Sequence, residues 1–276
     1  MTICSTCPHA CSLTEGALGA CRSRRCIDGA VVSEGYGRIT SLALDPIEKK
    51  PIARWRQGST VLSLGSYGCN MHCPFCQNAS IAQVDATGVP WREVTPEEVV
   101  RAACGLRDRG CIGIAYTYNE PLINWEFLRD TGSLAHDAGL VNVLVSNGFA
   151  SEHVVEQIAP FVDAANIDLK CFTAEGYRKL SGDLDTVKHT IELLAALPTC
   201  HLEVTTLVVP GLSDDVVQVE RMARWLASLD PAIPYHLTRF FPQHRMSDVP
   251  PTPLATLHEL ARVAKRHLRT VLLGNV

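Results

Sequence analysis

The segment Gly68-Cys-Asn-Met-His-Cys-Pro-Phe-Cys-Gln77 sets Cys69, Cys73 and Cys76 in a C-x3-C-x2-C pattern. It closely follows the apolar run Thr60-Val-Leu-Ser-Leu-Gly65, which has the length and composition of a buried strand. Three thiolates on one loop can ligate three irons of a 4Fe–4S cluster, whose full ligation uses four cysteines. One iron would then stay open for another ligand, as in catalytic rather than structural metal sites.

Two other interpretations fit part of this pattern. Cys73-Pro-Phe-Cys76 alone has the spacing of a redox C-x-x-C pair. Together with Cys4-Ser-Thr-Cys7 it has the two halves of a zinc site. Neither interpretation explains Cys69 or the position of the loop after an apolar run, so the pattern favours the cluster.

The chain divides into two parts. Residues 1–58 are rich in cysteine, glycine and charge, and we expect a small lobe with short strands such as Ala30–Ser33 and Gly37–Ala43. Residues 59–276 alternate apolar runs with amphipathic helical patterns, which predicts a parallel sheet covered by helices, either an incomplete barrel or a doubly wound sheet. The capping box Thr95-Pro-Glu-Glu98 marks one helix start. The predicted strands are Thr60–Gly65, Ile112–Thr117, Val141–Ser146, Ala165–Lys170, Leu202–Val209, Tyr235–Phe240 and Thr270–Gly274.

Polar residues collect where these strands end, which is where parallel α/β folds bind ligands. The cysteine loop follows the first strand, and Tyr116-Thr-Tyr-Asn-Glu-Pro121 follows the second. In the fourth, Asn166, Asp168 and Lys170 share one face by strand alternation. Charged residues inside an apolar strand are unfavourable unless they are paired or bind a ligand.

The motifs together resemble radical S-adenosylmethionine (SAM) enzymes, specifically the AmmeMemoRadiSam group, which is related to pyruvate formate-lyase activating enzyme. The resemblance spans nearly the whole chain. It rests on Cys4-x2-Cys7-Pro-His-x-Cys11, Gly19-Ala-Cys21-Arg22, Asp45-Pro-Ile-Glu-Lys-Lys-Pro51, Gly68–Asn78, Tyr118–Pro121, Asn166–Lys170 and Gly274–Val276. We expect the group to carry further residues, including cysteines, after this last segment.

The resemblance implies a fold and a set of cofactor contacts. The fold is a partial (β/α)6 barrel, with Cys69, Cys73 and Cys76 on the cluster and the SAM amino and carboxylate groups on the open iron. Glu120 matches the acidic residue of a Gly-Gly-Glu turn that contacts the SAM amino group. Asn119 departs from that turn but is also an expected contact. Asp168 and Lys170 match an Asp-x-Lys pair that contacts SAM. Further expected contacts are Phe75, Ser146, Asn147, His236 and Arg239.

Structural alternatives stay open for several of these residues. Asp168 and Lys170 can form a structural ion pair, and Glu120 can begin a helix before Pro121. His236 and Arg239 can belong to a buried polar network.

The second cysteine group, Cys4, Cys7, Cys11 and Cys21, has the spacing C-x2-C-x3-C-x9-C. Four thiolates in a short, polar lobe can bind tetrahedral zinc or an auxiliary iron–sulfur cluster, and a metal would stabilise so small a lobe. His9 and Cys26 are substitute ligands.

Composition narrows the function classes. The 276 residues include 46% hydrophobic and 20% charged residues and carry a net charge of −4, which argues against nucleic-acid binding. Twelve cysteines favour metal binding in a reducing compartment. The chain has no apolar run of about 18 residues and no signal peptide, so we expect no membrane span and a cytoplasmic location.

Three functions follow from these observations. The leading one is reductive cleavage of SAM to a 5′-deoxyadenosyl radical that abstracts hydrogen from an unidentified small-molecule or protein substrate, with a flavodoxin or ferredoxin as reductant. A narrower version is activation of a glycyl radical enzyme. The alternative from another class is a non-catalytic metal-binding or electron-transfer scaffold.

Overall fold

The computed structural model describes residues 1–276. The strands are β1 (Thr2–Ile3), β2 (Ser12–Leu13), β3 (Arg24–Ile27), β4 (Ala30–Ser33), β5 (Arg38–Ile39), β6 (Ser41–Pro46), β7 (Thr60–Gly65), β8 (Arg92–Glu93), β9 (Cys111–Tyr116), β10 (Val141–Ser146), β11 (Ala164–Asp168), β12 (His201–Val208), β13 (Tyr235–Arg239) and β14 (Val271–Gly274). The helices are α1 (Ala79–Ala82), α2 (Pro96–Cys104), α3 (Trp125–Asp137), α4 (Glu152–Ile158), α5 (Ala174–Lys179), α6 (Leu184–Ala195), α7 (Val216–Leu229) and α8 (Leu254–Ala264).

Eight strands form one open sheet in the order β14-β13-β12-β11-β10-β9-β7-β6. The seven strands from β7 to β14 are parallel, and β6 pairs antiparallel with β7 at one edge. Because each new parallel strand is added on the same side, right-handed crossovers bring all the helices to one face, as in a barrel. A doubly wound sheet would need a reversal of strand order. The predicted α/β class with a partial, mostly parallel barrel is confirmed.

The two faces of the sheet bury different residues. One face packs on the helices in a large core to which Leu62 and Leu64 of β7 belong. The other buries a separate small cluster, in which Val61 and strand residues of β9, β10 and β11 contact Ile47 and Ile52. The segment between β6 and β7 therefore covers part of the inner face of the barrel.

Helix α2 begins where its sequence predicts, and helix α7 packs on one face. Thr95 caps α2 in a complete capping box with Glu98. Helix α7 buries Val219, Met222, Ala223 and Leu226 on one stripe. No helix has both the length and the apolar character needed to span a membrane.

The cysteine-rich N-terminal region consists of short antiparallel pairs. Strand β4 coincides with the predicted Ala30–Ser33, whereas the predicted Gly37–Ala43 strand is divided into β5 and β6. Since β6 extends the large sheet, that sheet begins before residue 59. A partly buried ion pair of 2.7 Å between Arg24 and Glu126 connects the lobe to α3.

Candidate active site

The cysteine loop leaves β7 at its carboxyl end and is held at both ends by the turn that follows β9. Asn119 Oδ1 accepts a hydrogen bond from Ser66 N (2.9 Å), and Asn119 Nδ2 donates to the carbonyls of Tyr67 and Gly68 (3.1 Å each). At the other end, Asn78 Nδ2 donates to the Tyr118 carbonyl (2.7 Å). The side chain of Asn119 thus organises the loop backbone.

The N-terminal lobe also contacts this loop directly. Cys69 N donates to the Cys21 carbonyl (3.1 Å). Gly68 has a φ of +82°, and a Cβ at this position would collide with the same carbonyl, so glycine is required twice over. The first residue of the three-cysteine motif and the last of the N-terminal group therefore lie side by side.

Burial keeps the three thiols neutral in the absence of a metal. It raises the pKa of Cys73 to about 11 and that of Cys76 above its usual value. At Cys69, burial and then the Glu120 carboxylate raise the pKa further. Two backbone hydrogen bonds act in the opposite direction. Met71 N–H lowers the pKa of Cys69, and Asn78 N–H lowers the pKa of Cys76. Metal ligation must therefore displace protons here.

Glu120 is the buried centre of the neighbouring turn. Its carboxylate accepts hydrogen bonds from Leu122 N (2.9 Å), Ser146 Oγ (2.7 Å) and Asn147 N (2.8 Å). Burial raises the pKa of Glu120 to about 7 although these bonds lower it. The carboxylate thus joins the carboxyl ends of β9 and β10 beside Cys69.

Asn147 connects β10 to the cysteine loop. Its Nδ2 donates to Asn70 Oδ1 (3.0 Å) and lies 3.5 Å from Cys69 Sγ, and its Oδ1 accepts from Phe149 N (2.8 Å). Ser146 and Asn147 are both buried. The structure therefore brings Glu120, Ser146 and Asn147 together at Cys69.

Comparisons with known proteins show the family to which the chain belongs. The family model described as "Radical SAM superfamily" matches residues 64–226, more than half of the chain. The chain belongs to the radical SAM superfamily. Membership implies a 4Fe–4S cluster and SAM as cofactors. A TM-score of 0.59 at 15% identity to a radical SAM methyltransferase from Sphaerobacter thermophilus, over 78% of this chain and 66% of that one, shows the same fold.

Curated relatives of this radical SAM protein lie at two distances. It is 39% identical over 277 residues to the uncharacterized protein MJ0808 of Methanocaldococcus jannaschii, covering 99% of this chain and 81% of the relative. It is 25% identical over 181 residues to pyruvate formate-lyase 1-activating enzyme of Escherichia coli K12, covering 61% and 71% respectively. The predicted relation to activating enzymes is confirmed at this level.

Asp168 and Lys170 lie near Cys73 and Cys76. Lys170 Nζ contacts Asp168 Oδ2 at 2.8 Å, and the lysine side chain is 16% exposed. Burial opposes the positive charge of Lys170, but Asp168 and the Cys73 sulfur raise its pKa above the ordinary value. The pair is an ion pair in this structure, and its contact with SAM stays a prediction.

Cys171, the residue after Lys170, is a nearby thiol outside the cysteine loop. It is fully buried, and its Sγ donates to the Thr173 carbonyl (3.7 Å). A Cβ on Gly176 of α5 would lie 2.5 Å from this sulfur. Cys171 is therefore packed against α5.

His236 and Arg239 are engaged inside the protein. His236 Nε2 donates to Glu203 (2.5 Å), which also accepts from His201 Nε2 (2.9 Å) and Arg54 N (2.8 Å). Arg239 Nε donates to the Thr252 carbonyl (2.8 Å). These contacts match the buried-network alternative, and a SAM contact for either residue stays a prediction.

Phe75 is buried in the large core beside Cys73. Its contact with a cofactor stays a prediction.

The N-terminal cysteines share one small lobe. Cys4, Cys7 and Cys21 are buried and Cys11 is half-buried. Cys4 N donates to the Cys11 carbonyl (2.9 Å), Ala20 N donates to Cys11 Sγ (3.4 Å), and burial raises the pKa of Cys7 to about 11.

His9 and Cys26, the two substitute ligands, do not complete a site for a single metal ion. His9 Nε2 donates to the Asn70 carbonyl (2.8 Å), and Cys26 is buried in β3. No three His, Cys, Asp or Glu side chains of the chain meet closely enough to ligate one metal ion. A cubane cluster does not require such convergence, because each cysteine ligates a different iron.

The sequence interpretation missed Asp45, Lys50 and Tyr118 as a group, and it missed Glu203. Alternation along β12 places His201, Glu203 and Thr205 on one face, a period-two polar pattern that could have identified Glu203. No local pattern links Asp45 to Tyr118, which is 73 residues away.

Proposed function

We propose that this protein is a radical SAM enzyme in which Cys69, Cys73 and Cys76 hold three irons of a 4Fe–4S cluster and the fourth iron binds SAM. The observation that carries the proposal is three thiols on one loop at the carboxyl end of β7, with the nearby Cys171 packed against α5. When bound, the cluster would supply one electron to the SAM sulfonium, and cleavage of the C–S bond would give methionine and a 5′-deoxyadenosyl radical that takes a hydrogen atom from a substrate.

The surroundings of the thiols fit an iron–sulfur cluster. Met71 N donates to Cys69 Sγ (3.4 Å), and Asn147 Nδ2 approaches the same sulfur. Such donors stabilise the thiolate form and tune cluster potential. The Lys170 ammonium supplies positive charge near Cys73 and Cys76.

The surrounding polar residues suit the groups of SAM. Lys170 would bind the carboxylate, and Asp168 or the Glu120 turn would face the ammonium or ribose. Ser146 and Asn147 would face the ribose hydroxyls. Phe75 would lower the polarity around the cluster or adenine. His236 and Arg239 would act at greater distance, His236 through its bond to Glu203 and Arg239 through its bond to the Thr252 carbonyl.

Activation of a glycyl radical enzyme is the narrower candidate. It is favoured by the similarity to pyruvate formate-lyase 1-activating enzyme, which covers 61% of this chain. Against it stand the Tyr118-Asn-Glu turn and the cysteine-rich lobe, so the substrate, small molecule or protein, remains general in this proposal. We also propose that the protein is a member of the AmmeMemoRadiSam group. In the same proposal it is a cytoplasmic oxidoreductase whose reductant is a flavodoxin or ferredoxin.

Cys4, Cys7, Cys11 and Cys21 form a second proposed metal centre, holding an auxiliary iron–sulfur cluster or zinc. Zinc would require the thiols to converge on one point, which they do not do in this structure. Support comes from the burial of three of the thiols and from the backbone donor at Cys11. Iron, sulfide and zinc analysis of the wild type and of Cys7→Ser tests it. The variant should lose only the metal of the second site, and equal metal content in both proteins would contradict the assignment.

Anaerobic reconstitution tests the main proposal. The wild type should release 5′-deoxyadenosine from SAM upon dithionite reduction, and Cys73→Ser should lose both the cluster and this activity. Cys171→Ser is the matched control, which should keep both because its sulfur faces α5. A wild-type cluster that never cleaves SAM would favour the alternative of a non-catalytic or electron-transfer scaffold.

A further inference from the structure

Asp45, Lys50 and the distant Tyr118 form one hydrogen-bonded group, here called the Asp45 latch. Asp45 Oδ2 accepts hydrogen bonds from Lys50 Nζ (2.8 Å) and Tyr118 Oη (2.6 Å). The Lys50 ammonium also lies 4.7 Å from the centre of the Tyr118 ring. Asp45 and Lys50 flank the short 3₁₀ turn Ile47–Lys49, so the latch joins the segment between β6 and β7 to the turn after β9.

The latch is a buried charged group rather than a surface pair. The side chains of Lys50 and Asp45 are 4% and 12% exposed. Burial lowers the pKa of Lys50, while the bonds from Lys50 and Tyr118 overcome burial and lower that of Asp45. Burial and then the bond to Asp45 raise the pKa of Tyr118 to about 12. Removing one partner therefore leaves a buried group without its hydrogen bond.

Tyr118 holds a backbone conformation that needs outside support. Its φ is +71°, a left-handed value that costs a non-glycine residue energy and persists only where the surroundings fix it. Tyr118 packs closely against β7, since a Cβ on Gly65 would lie only 2.9 Å from Tyr118 Cβ. The bond from Tyr118 Oη to Asp45 is one of the contacts that fix this conformation.

The backbone of Tyr118 is also the point where the turn meets the cysteine loop. Its carbonyl accepts from Asn78, two residues after Cys76, and the next residue, Asn119, binds the beginning of the loop. Glu120, after that, joins β10. A shift of Tyr118 would therefore move the turn and both ends of the cysteine loop together.

We infer that Asp45, Lys50 and Tyr118 are positioning residues that fix the Tyr118–Glu120 turn in the orientation that binds SAM. This rests on the proposed function. None of the three is assigned a contact with the cluster, so loss of the latch should weaken SAM binding while leaving cluster assembly intact. A purely structural latch would instead change folding stability without changing SAM affinity.

The test titrates SAM into the reduced, reconstituted protein and follows the EPR spectrum of the cluster. Tyr118→Phe keeps the ring and removes only the bond to Asp45, and Asp45→Asn weakens the same bond from the other side. Tyr36→Phe is the matched control, since Tyr36 Oη donates to Asp130 at 2.8 Å on the lobe and α3. We expect unchanged iron content and roughly tenfold weaker SAM binding in both latch variants, as for the loss of one charge-assisted bond.

The possible outcomes separate the inference from the function. Unchanged SAM affinity in Tyr118→Phe and Asp45→Asn, an equal loss in Tyr36→Phe, or loss of iron from the latch variants would each overturn the inference alone. A wild-type cluster whose spectrum does not respond to SAM would overturn the proposed function and, with it, the inference.

Discussion

Replacing Glu203 with glutamine should destabilise the fold in a pH-dependent way. The Glu203 side chain has no exposed surface and accepts hydrogen bonds from His201, His236 and Arg54 N. Burial alone would raise its pKa, but the bonds from the two histidines and the backbone lower the pKa from 4.5 to about 2. The folded state therefore favours the ionised carboxylate.

The size of the effect follows from that shift. The Glu203 pKa is 4.5 in the unfolded chain and about 2 in the folded protein, and this difference corresponds to about 3 kcal/mol of unfolding free energy at pH 7. The contribution is fully present above pH 4.5 and is lost as the pH falls through about 2, so about 1 kcal/mol should already be gone at pH 3.5.

Urea unfolding of the metal-free protein at pH 7 and pH 3.5 measures this contribution. Glu203→Gln should be about 3 kcal/mol less stable than the wild type at pH 7, with the gap narrowing by about 1 kcal/mol at pH 3.5. Glu220→Gln, at a half-exposed position on α7 that also faces a histidine, should change little. A Glu203→Gln protein within 0.5 kcal/mol of the wild type at pH 7, roughly the effect of a surface substitution, would refute the reasoning.

Two further predictions concern the site and the sheet. Lys170→Met should weaken SAM binding at least about tenfold without loss of iron, because it removes an ammonium suited to the SAM carboxylate. Lys179→Met, on the exposed side of α5, is the control in the same titration. Equal SAM affinities of the two variants would contradict the role assigned to Lys170. Gly113→Ala should lower the unfolding free energy by about 1–3 kcal/mol, because its Cβ would collide with the Val141 carbonyl of β10. Gly105→Ala meets only ordinary contacts and should stay within about 0.5 kcal/mol by urea unfolding, so equal losses would show that the collision is relieved.

The parallel strands could be predicted from the sequence because their signal is local. Each is a short apolar run followed by polar residues, and the ends of all seven agree with the structure to within two residues. The predicted strand Gly37–Ala43 reached only the first half of β6, because Asp45 and Pro46 interrupt the apolar pattern. The pairing of β6 with β7 becomes visible only in three dimensions. The strand order also needed the structure, since the sequence allowed a doubly wound sheet.

The candidate site was predicted unevenly for a similar reason. The cysteines, Glu120 and Asn147 were found because they directly follow strands, where ligands bind in parallel folds. His236 was found as a polar residue in a strand, but its partner Glu203 lies 33 residues earlier, on the adjacent strand. The interactions of Tyr118 depend on a left-handed backbone and a distant carboxylate, which periodicity does not reveal.

The central claim is that one iron at the Cys69–Cys76 loop is ligated by SAM rather than by a cysteine. The most direct measurement is the EPR spectrum of the anaerobically reduced cluster with SAM carrying a labelled amino nitrogen or carboxylate. We predict a shifted spectrum with magnetic coupling between the cluster and the label, retained in Cys171→Ser. A tetrathiolate cluster whose spectrum is identical with and without SAM would contradict the account.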